Sequence, residues 1–182
     1  MRIPASIPNL LTLSRLALAP FIFYAIITAQ HILALALFAA AAATDTLDGM
    51  LARRFSQITQ AGAYIDPIAD KVLLSGAFLS LAVAGILPWW LVILIFARDL
   101  FLLLSSVIAL AFTKFRDFRP SVWGKASTFV QILCVTAWIA QNVPVFAAFH
   151  PLAQALIWPT AAITIWSGLD YAWRGWRSIR VH

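Results

Sequence analysis

Four aspartates, Asp45, Asp48, Asp66 and Asp70, fall within residues 45–70 of a 182-residue chain whose acidic residues number seven, all of them Asp. Positions three or four apart share one face of a helix, so Asp45 with Asp48, and Asp66 with Asp70, each present two carboxylates in one direction. A short connection between the two segments brings the two faces together. The apolar run from Ile32 to Thr44 gives roughly 20 Å of helix before Asp45, which sets that carboxylate within the depth of a bilayer, near one surface. Four carboxylates converging in a low-dielectric region repel one another unless cations neutralise them. A donor set of oxygens alone, without His or Cys, favours Mg²⁺, Mn²⁺ or Ca²⁺ over zinc. Two such ions bridged by carboxylates suit a substrate carrying a pyrophosphate, because the pair orients and neutralises phosphoryl oxygens during displacement. The expected chemistry is therefore of the phosphoryl-transfer type. Arg53, in the same run, offers a bidentate phosphate contact. Gly49, Ala52 and Gly62 remove side chains where backbone or ligand must approach closely.

The elements that carry these residues belong in a membrane. Hydrophobic residues make up 63% of the chain and charged residues 11%, whereas a soluble domain carries about 25% charged residues. About 20 apolar residues are needed to cross the hydrocarbon core, and six segments reach that length: about 10 to 28, 32 to 53, 63 to 86, 89 to 113, 122 to 142 and 151 to 173. The expectation is an all-α integral membrane protein of six transmembrane helices, a single domain over residues 1–182. Polar or helix-breaking residues mark the breaks at Gln30-His31, Gly85 to Pro88, Lys114 to Pro120 and Gln141 to Pro144.

Orientation follows from Lys and Arg, which cytoplasmic loops concentrate. Arg53 and Arg54 lie between the second and third segments, Lys114, Arg116, Arg119 and Lys125 between the fourth and fifth, and Arg174, Arg177 and Arg180 after the sixth; the other connections contain neither residue. Both termini are thus expected in the cytoplasm, with the polar cavity near that side. The net charge of +6 also suits anionic lipid head groups there. Nucleic-acid binding is a poor reading, since the basic residues are scattered over separate helix ends. The single Cys134 supports no internal disulfide, and Met1 to Pro8 shows no cleavage signal.

The run Asp45-x-x-Asp48-Gly49-x-x-Ala52-Arg53, eight residues, then Gly62-x-x-x-Asp66-x-x-x-Asp70 resembles the full signature of the CDP-alcohol phosphatidyltransferases, in every position and spacing. The likeness extends through Asn9-Leu10-Leu11-Thr12-Leu13-Ser14-Arg15 and Gly124-Lys125-Ala126-Ser127-Thr128. The resemblance implies a six-helix fold, usually homodimeric, in which Asp45, Asp48 and Asp66 hold two Mg²⁺ or Mn²⁺ ions. Asp70 would touch the second metal and serve as general base. It would deprotonate an acceptor hydroxyl that attacks the phosphorus bonded to diacylglycerol in CDP-diacylglycerol, releasing CMP. By the same resemblance Gly49, Arg53, the position of Thr59 and the small Gly62 surround the CDP moiety, with Asn9 in the segment Pro8 to Leu11 closing over it.

Other intramembrane charges need an account. Arg98 sits about midway along the fourth segment, where an unpaired charge costs at least a few kcal/mol. The helical geometry of adjacent positions turns Asp99 in a different direction. Arg98 is then either half of a structural ion pair or, with Lys125, an anchor for an acceptor phosphate, and the resemblance favours the second. Lys71 either snorkels to the cytoplasm or balances the aspartates. Asp117 and Asp170 read as surface pairs. Trp89, Trp90, Trp123, Trp173 and Trp176 fall near helix ends, where an interfacial belt is expected. His31, His150 and His182 also lie at ends, His31 and His150 on the face away from the cluster, and all three read as solvated. Ala40 to Ala43 and Gly76 read as packing residues.

The rival class is a cation or proton transporter, since intramembrane carboxylates also mark ion pathways. Against it stand the one-sided charge distribution and the absence of an internal repeat. A structural scaffold gives no reason for four mutually repelling carboxylates. The acceptor stays open between phosphatidylglycerol, toward which Arg98-Asp99 in place of Arg-Glu leans, and glycerol 3-phosphate, with inositol phosphate and serine behind. A bacterial plasma membrane is the expected home, a mature mitochondrial form the alternative.

Overall fold

The computed structural model describes the backbone of residues 7–55, 60–112 and 121–179, and the side chains of residues 13–44, 69–105 and 121–174. Within them the chain forms six α-helices and no strand: α1 (Ile7–Ile27), α2 (His31–Phe55), α3 (Gln60–Val83), α4 (Trp89–Phe112), α5 (Val122–Ala140) and α6 (His150–Ile179), with a short 3-10 helix at Pro144–Phe149. Each apolar segment expected from the sequence is one helix. The sixth runs well past its expected end at 173, because Arg174 and Arg177 end the apolar stretch without ending the helix: an arginine is a good helix former. The 3-10 turn before α6, opened by Pro144, was not foreseen.

Two of the turns are made in the same way. After α1, Gln30 N–H bonds the Ala25 carbonyl at 2.8 Å and Ala29 N–H the Ile26 carbonyl at 3.2 Å; after α3, Ile86 N–H bonds Leu81 at 2.9 Å and Gly85 N–H bonds Ala82 at 3.0 Å. Both are Schellman caps, which need one residue in the left-handed region. Gly85 supplies it at φ 71°, and Ala29 adopts φ 58° despite its Cβ. Helix α5 begins differently: Ser121 is extended and its hydroxyl accepts from Trp123 N–H, satisfying a donor that the helix leaves unpaired.

Helix α1 packs along both α2 and α3, α5 pairs with α6 and also touches α2 and α3, and α6 lies against α4. The two aspartate-bearing helices, α2 and α3, are thus held by shared neighbours. In a bilayer, close van der Waals fit rather than water exclusion joins helices, and the buried faces carry small residues among large ones: Ala19, Ala25, Ala34, Ala41 and Ala77 beside Ile22, Phe38, Phe78, Leu81 and Leu91. Gly76 on α3 receives the ring of Phe23 on α1; a methyl there would come within 2.7 Å of both Cε atoms of that ring and closer still to Cζ. Of the small run on α2, Ala41 is fully buried while Ala40 and Ala43 face outward.

Large apolar side chains such as Phe21, Ile32, Ile93, Leu103 and Trp158 are exposed, as a surface solvated by lipid tails requires. Among the described residues two stretches are long and apolar enough to cross a membrane, Val122–Ala140 and Pro144–Arg174, with shorter apolar helical stretches at Leu13–Ile27 and His31–Thr44. Trp89, Trp90 and Trp123 stand exposed in the first turns of α4 and α5, and His31 and His150 open α2 and α6.

Candidate active site

Asp45 and Asp48 lie on α2 and Asp66 and Asp70 on α3, each pair on one helical face as the spacing requires. Asn9 is on α1, Gly49 and Arg53 on α2, and Gly62 on α3. Of all these, the side chain of Asp70 alone is among those described, and Thr59, like Asp117 and His182, lies outside the described residues. The described side chains contain no cluster of three or more Asp, Glu, His or Cys. The donor chemistry of the four aspartates, carboxylate oxygens only, fits a hard divalent cation.

Asp70 is held from α1. Arg15 Nη1 donates to Asp70 Oδ1. The arginine is buried, with a side chain 2% exposed, while the carboxylate it holds is 43% exposed. Sequence reasoning missed this residue. Its one signal was its place at the end of the stretch Asn9 to Arg15, because a lone Arg in an apolar helix does not announce a partner on another helix.

Beside Asp70, Lys71 donates through its Nζ to Asp99 Oδ1 on α4, a partner that the sequence reading did not name. The same oxygen accepts from Arg98 Nη1 at 2.8 Å. This corrects the expectation that Asp99 points away from Arg98. Adjacent Cβ atoms do diverge on a helix, but the long Arg98 side chain folds back far enough to reach its neighbour. Arg98 is 8% exposed, and its Nη2 donates to Ser167 Oγ on α6 at 2.6 Å. Glycines line its course: a Cβ at Gly124 would sit 3.6 Å from Nη2, and one at Gly168 would sit 3.7 Å from Cγ. Lys125, paired with Arg98 in the sequence reading, is exposed, and its neighbour Gly124 is the α5 residue that abuts the guanidinium.

The linkage runs from Lys71 through Asp99 and Arg98 to Ser167, tying α3, α4 and α6 together. A further pair fixes α5 to α6 at the same end: Ser121 Oγ donates to Asp170 Oδ2 at 2.5 Å and Arg174 Nε to Asp170 Oδ1 at 3.1 Å. Deeper between α5 and α6, buried Gln131 donates through Nε2 to Ser127 Oγ and Thr164 Oγ1, both at 3.3 Å. The opposite end of the bundle is different in kind. A groove there, lined by Ala29, Gln30, His31, Ile32, Leu33, Ala36, Asn142, Val143 and Pro144, is open and largely apolar, with none of the charged residues above.

The helices thus carry the paired aspartates on α2 and α3, with the Arg15–Asp70 pair and the linkage from Lys71 through Asp99 and Arg98 to Ser167 among the described side chains. The model of the CDP-alcohol phosphatidyltransferase family matches residues 5–166 of the chain, and the protein belongs to that family. It is 36% identical to a Mycobacterium tuberculosis (strain ATCC 25618 / H37Rv) protein named "Probable phosphatidylglycerophosphate synthase", over 96% of this chain and 84% of the relative. It is 31% identical to the CDP-diacylglycerol--glycerol-3-phosphate 3-phosphatidyltransferase of Bacillus subtilis (strain 168), over 96% and 97% respectively. A Drosophila melanogaster protein named "Probable cardiolipin synthase (CMP-forming)" is 33% identical over 91% of this chain and 56% of its own length.

Proposed function

We propose that the protein makes phospholipid by moving the phosphatidyl group of CDP-diacylglycerol onto a hydroxyl of a phosphate-bearing glycerol acceptor, with release of CMP. The observation that carries this reading is the accessible Asp70 carboxylate held by Arg15 within a complete family signature. Asp70 takes the proton of the acceptor hydroxyl. The oxygen so freed bonds to the phosphorus that carries diacylglycerol, and the bond from that phosphorus to the bridging oxygen of the pyrophosphate breaks. The electron pair leaves with CMP. Two divalent ions, Mg²⁺ or Mn²⁺, held by Asp45, Asp48, Asp66 and Asp70, supply neutralising charge to the pyrophosphate when bound. Gly49, Arg53, Thr59, Gly62 and Asn9 surround the cytidine diphosphate part.

Arg98 supports the choice of acceptor. A guanidinium 8% exposed, steadied by Asp99 and Ser167, is a preorganised anchor for a phosphate monoester or diester, with exposed Lys125 at the cytoplasmic mouth. Glycerol 3-phosphate is the first acceptor, in keeping with the bacterial relatives matched over most of their own length. Phosphatidylglycerol is the second, in keeping with the cardiolipin synthase relative; both carry a glycerol hydroxyl and a phosphate. The protein works as a homodimer in a bacterial plasma membrane, with six spans and both termini in the cytoplasm, where the Lys and Arg side chains gather. A transporter needs access from both faces, and the groove at the far end is largely apolar and contains no carboxylate in its lining.

The test is CMP release from CDP-diacylglycerol by the purified protein with glycerol 3-phosphate, phosphatidylglycerol, inositol phosphate and serine offered separately. CMP formed only with a glycerol-based phosphate supports the reading and names the acceptor. Turnover confined to serine or inositol phosphate overturns the acceptor assignment.

A further inference from the structure

We propose that Arg15 is a positioning residue of the transfer reaction: its cation fixes the Asp70 carboxylate in the orientation from which it takes the acceptor proton. This rests on the reading of Asp70 as the base. A guanidinium buried in an apolar helix is costly unless its charge is met, and here Nη1 meets Asp70 Oδ1 across the α1–α3 contact. The exposures of the two partners differ in a telling way. The arginine side chain is 2% exposed and the aspartate 43%, so only the cation bears the desolvation that makes a fully buried pair costly. The cation is sealed away and the carboxylate is held but reachable, which is the arrangement a reacting group requires.

The register of the two helices keeps that geometry. Phe23 lies eight residues beyond Arg15, and Gly76, which receives its ring, six residues beyond Asp70. At about 1.5 Å per residue these offsets are about 12 and 9 Å in the same direction, so the ring and the ion pair are two contacts of one parallel interface. Ala19 and Ile22, buried between them, let α1 lie close. Lys71, the cation next to Asp70 in sequence, is turned to Asp99 on α4 and does not substitute for Arg15. A rotation of the carboxylate away from the acceptor oxygen slows the chemical step, while Asp45, Asp48 and Asp66 would still hold the ions that meet the donor pyrophosphate.

The experiment compares Arg15→Met, Arg15→Lys and Asp70→Asn in the full chain, each checked for a cooperative melt, with kcat and KM from CMP release. The expected result is a kcat about tenfold or more lower in Arg15→Met, as a misplaced catalytic group produces, with the KM for CDP-diacylglycerol within about twofold of the parent. Arg15→Lys, which keeps the cation, is expected to recover most of that loss. Where Arg15→Met fails to fold, Arg15→Gln takes its place: a rate well below that of Arg15→Lys supports the proposal and an equal rate overturns it. Parental kcat in Arg15→Met, or a loss carried by KM alone, overturns it as well. An active Asp70→Asn refutes the base assignment itself, whereas an inactive Asp70→Asn beside a fully active Arg15→Met refutes only the role of Arg15.

Discussion

Arg98 on α4 and Ser167 on α6 meet through a hydrogen bond of 2.6 Å between Nη2 and Oγ, both side chains buried. The serine hydroxyl accepts from the one guanidinium nitrogen, Nη2, that meets α6. Ser167→Ala leaves that N–H buried and unpaired, at about 1–3 kcal/mol. The expected outcome is a lower melting temperature together with a several-fold higher KM for the phosphate acceptor, measured by CMP release, and an unchanged KM for CDP-diacylglycerol.

Asp99 serves two cations at once, Lys71 from α3 and Arg98 from its own helix. Asp99→Asn removes the charge that offsets the buried guanidinium, and breaking such a pair costs about 3 kcal/mol or more. Lys71→Gln removes a partner whose side chain is 45% exposed, so its loss is expected to stay within about 1 kcal/mol. Thermal melts of the two variants in the same detergent check the contrast; equal losses would mean that Asp99 does not chiefly serve Arg98.

The α1–α3 contact is tested at Gly76. Gly76→Ala drives a methyl into the Phe23 ring, and overpacking of this kind costs about 1–3 kcal/mol. Phe23→Leu in the Gly76→Ala background, which shortens the intruding ring, is expected to regain much of the stability, read as a non-additive pair of melting shifts.

The two Schellman caps give opposite expectations. Ala29 sits at φ 58°, where a Cβ costs about 1 kcal/mol or more, so Ala29→Gly is expected to stabilise the protein. Gly85 sits at φ 71° with open space around it, so Gly85→Ala is expected to destabilise by a similar amount through backbone strain alone. Melting temperatures decide both, and neither change is expected to alter turnover.

How much of this the sequence disclosed depended on distance along the chain. The six helices were legible because each apolar run is long and bounded by polar or breaking residues, and the aspartate pairs because their spacing is local. The Arg15–Asp70 contact was not legible, since the partners are 55 residues apart and a single arginine creates no periodicity. Ser167 was hidden for the same reason: a serine in an apolar helix has no pattern until Arg98 is brought to it. Asp99 was misjudged because backbone geometry governs where Cβ points, while a side chain as long as arginine decides where its charge goes. Lys125 stood out by its charge, although the neighbouring Gly124 is the residue that makes room for Arg98.

Asp70, held by Arg15, is proposed as the base of a phosphatidyl transfer from CDP-diacylglycerol. Its most direct test is acceptor-dependent CMP release by the parent protein and by Asp70→Asn, side by side, in the presence of Mg²⁺ or Mn²⁺ and with both proteins shown to be folded. The expected result is CMP formation by the parent with glycerol 3-phosphate or phosphatidylglycerol, and a loss of at least about a hundredfold in the variant. CMP release by Asp70→Asn at the parental rate would contradict it.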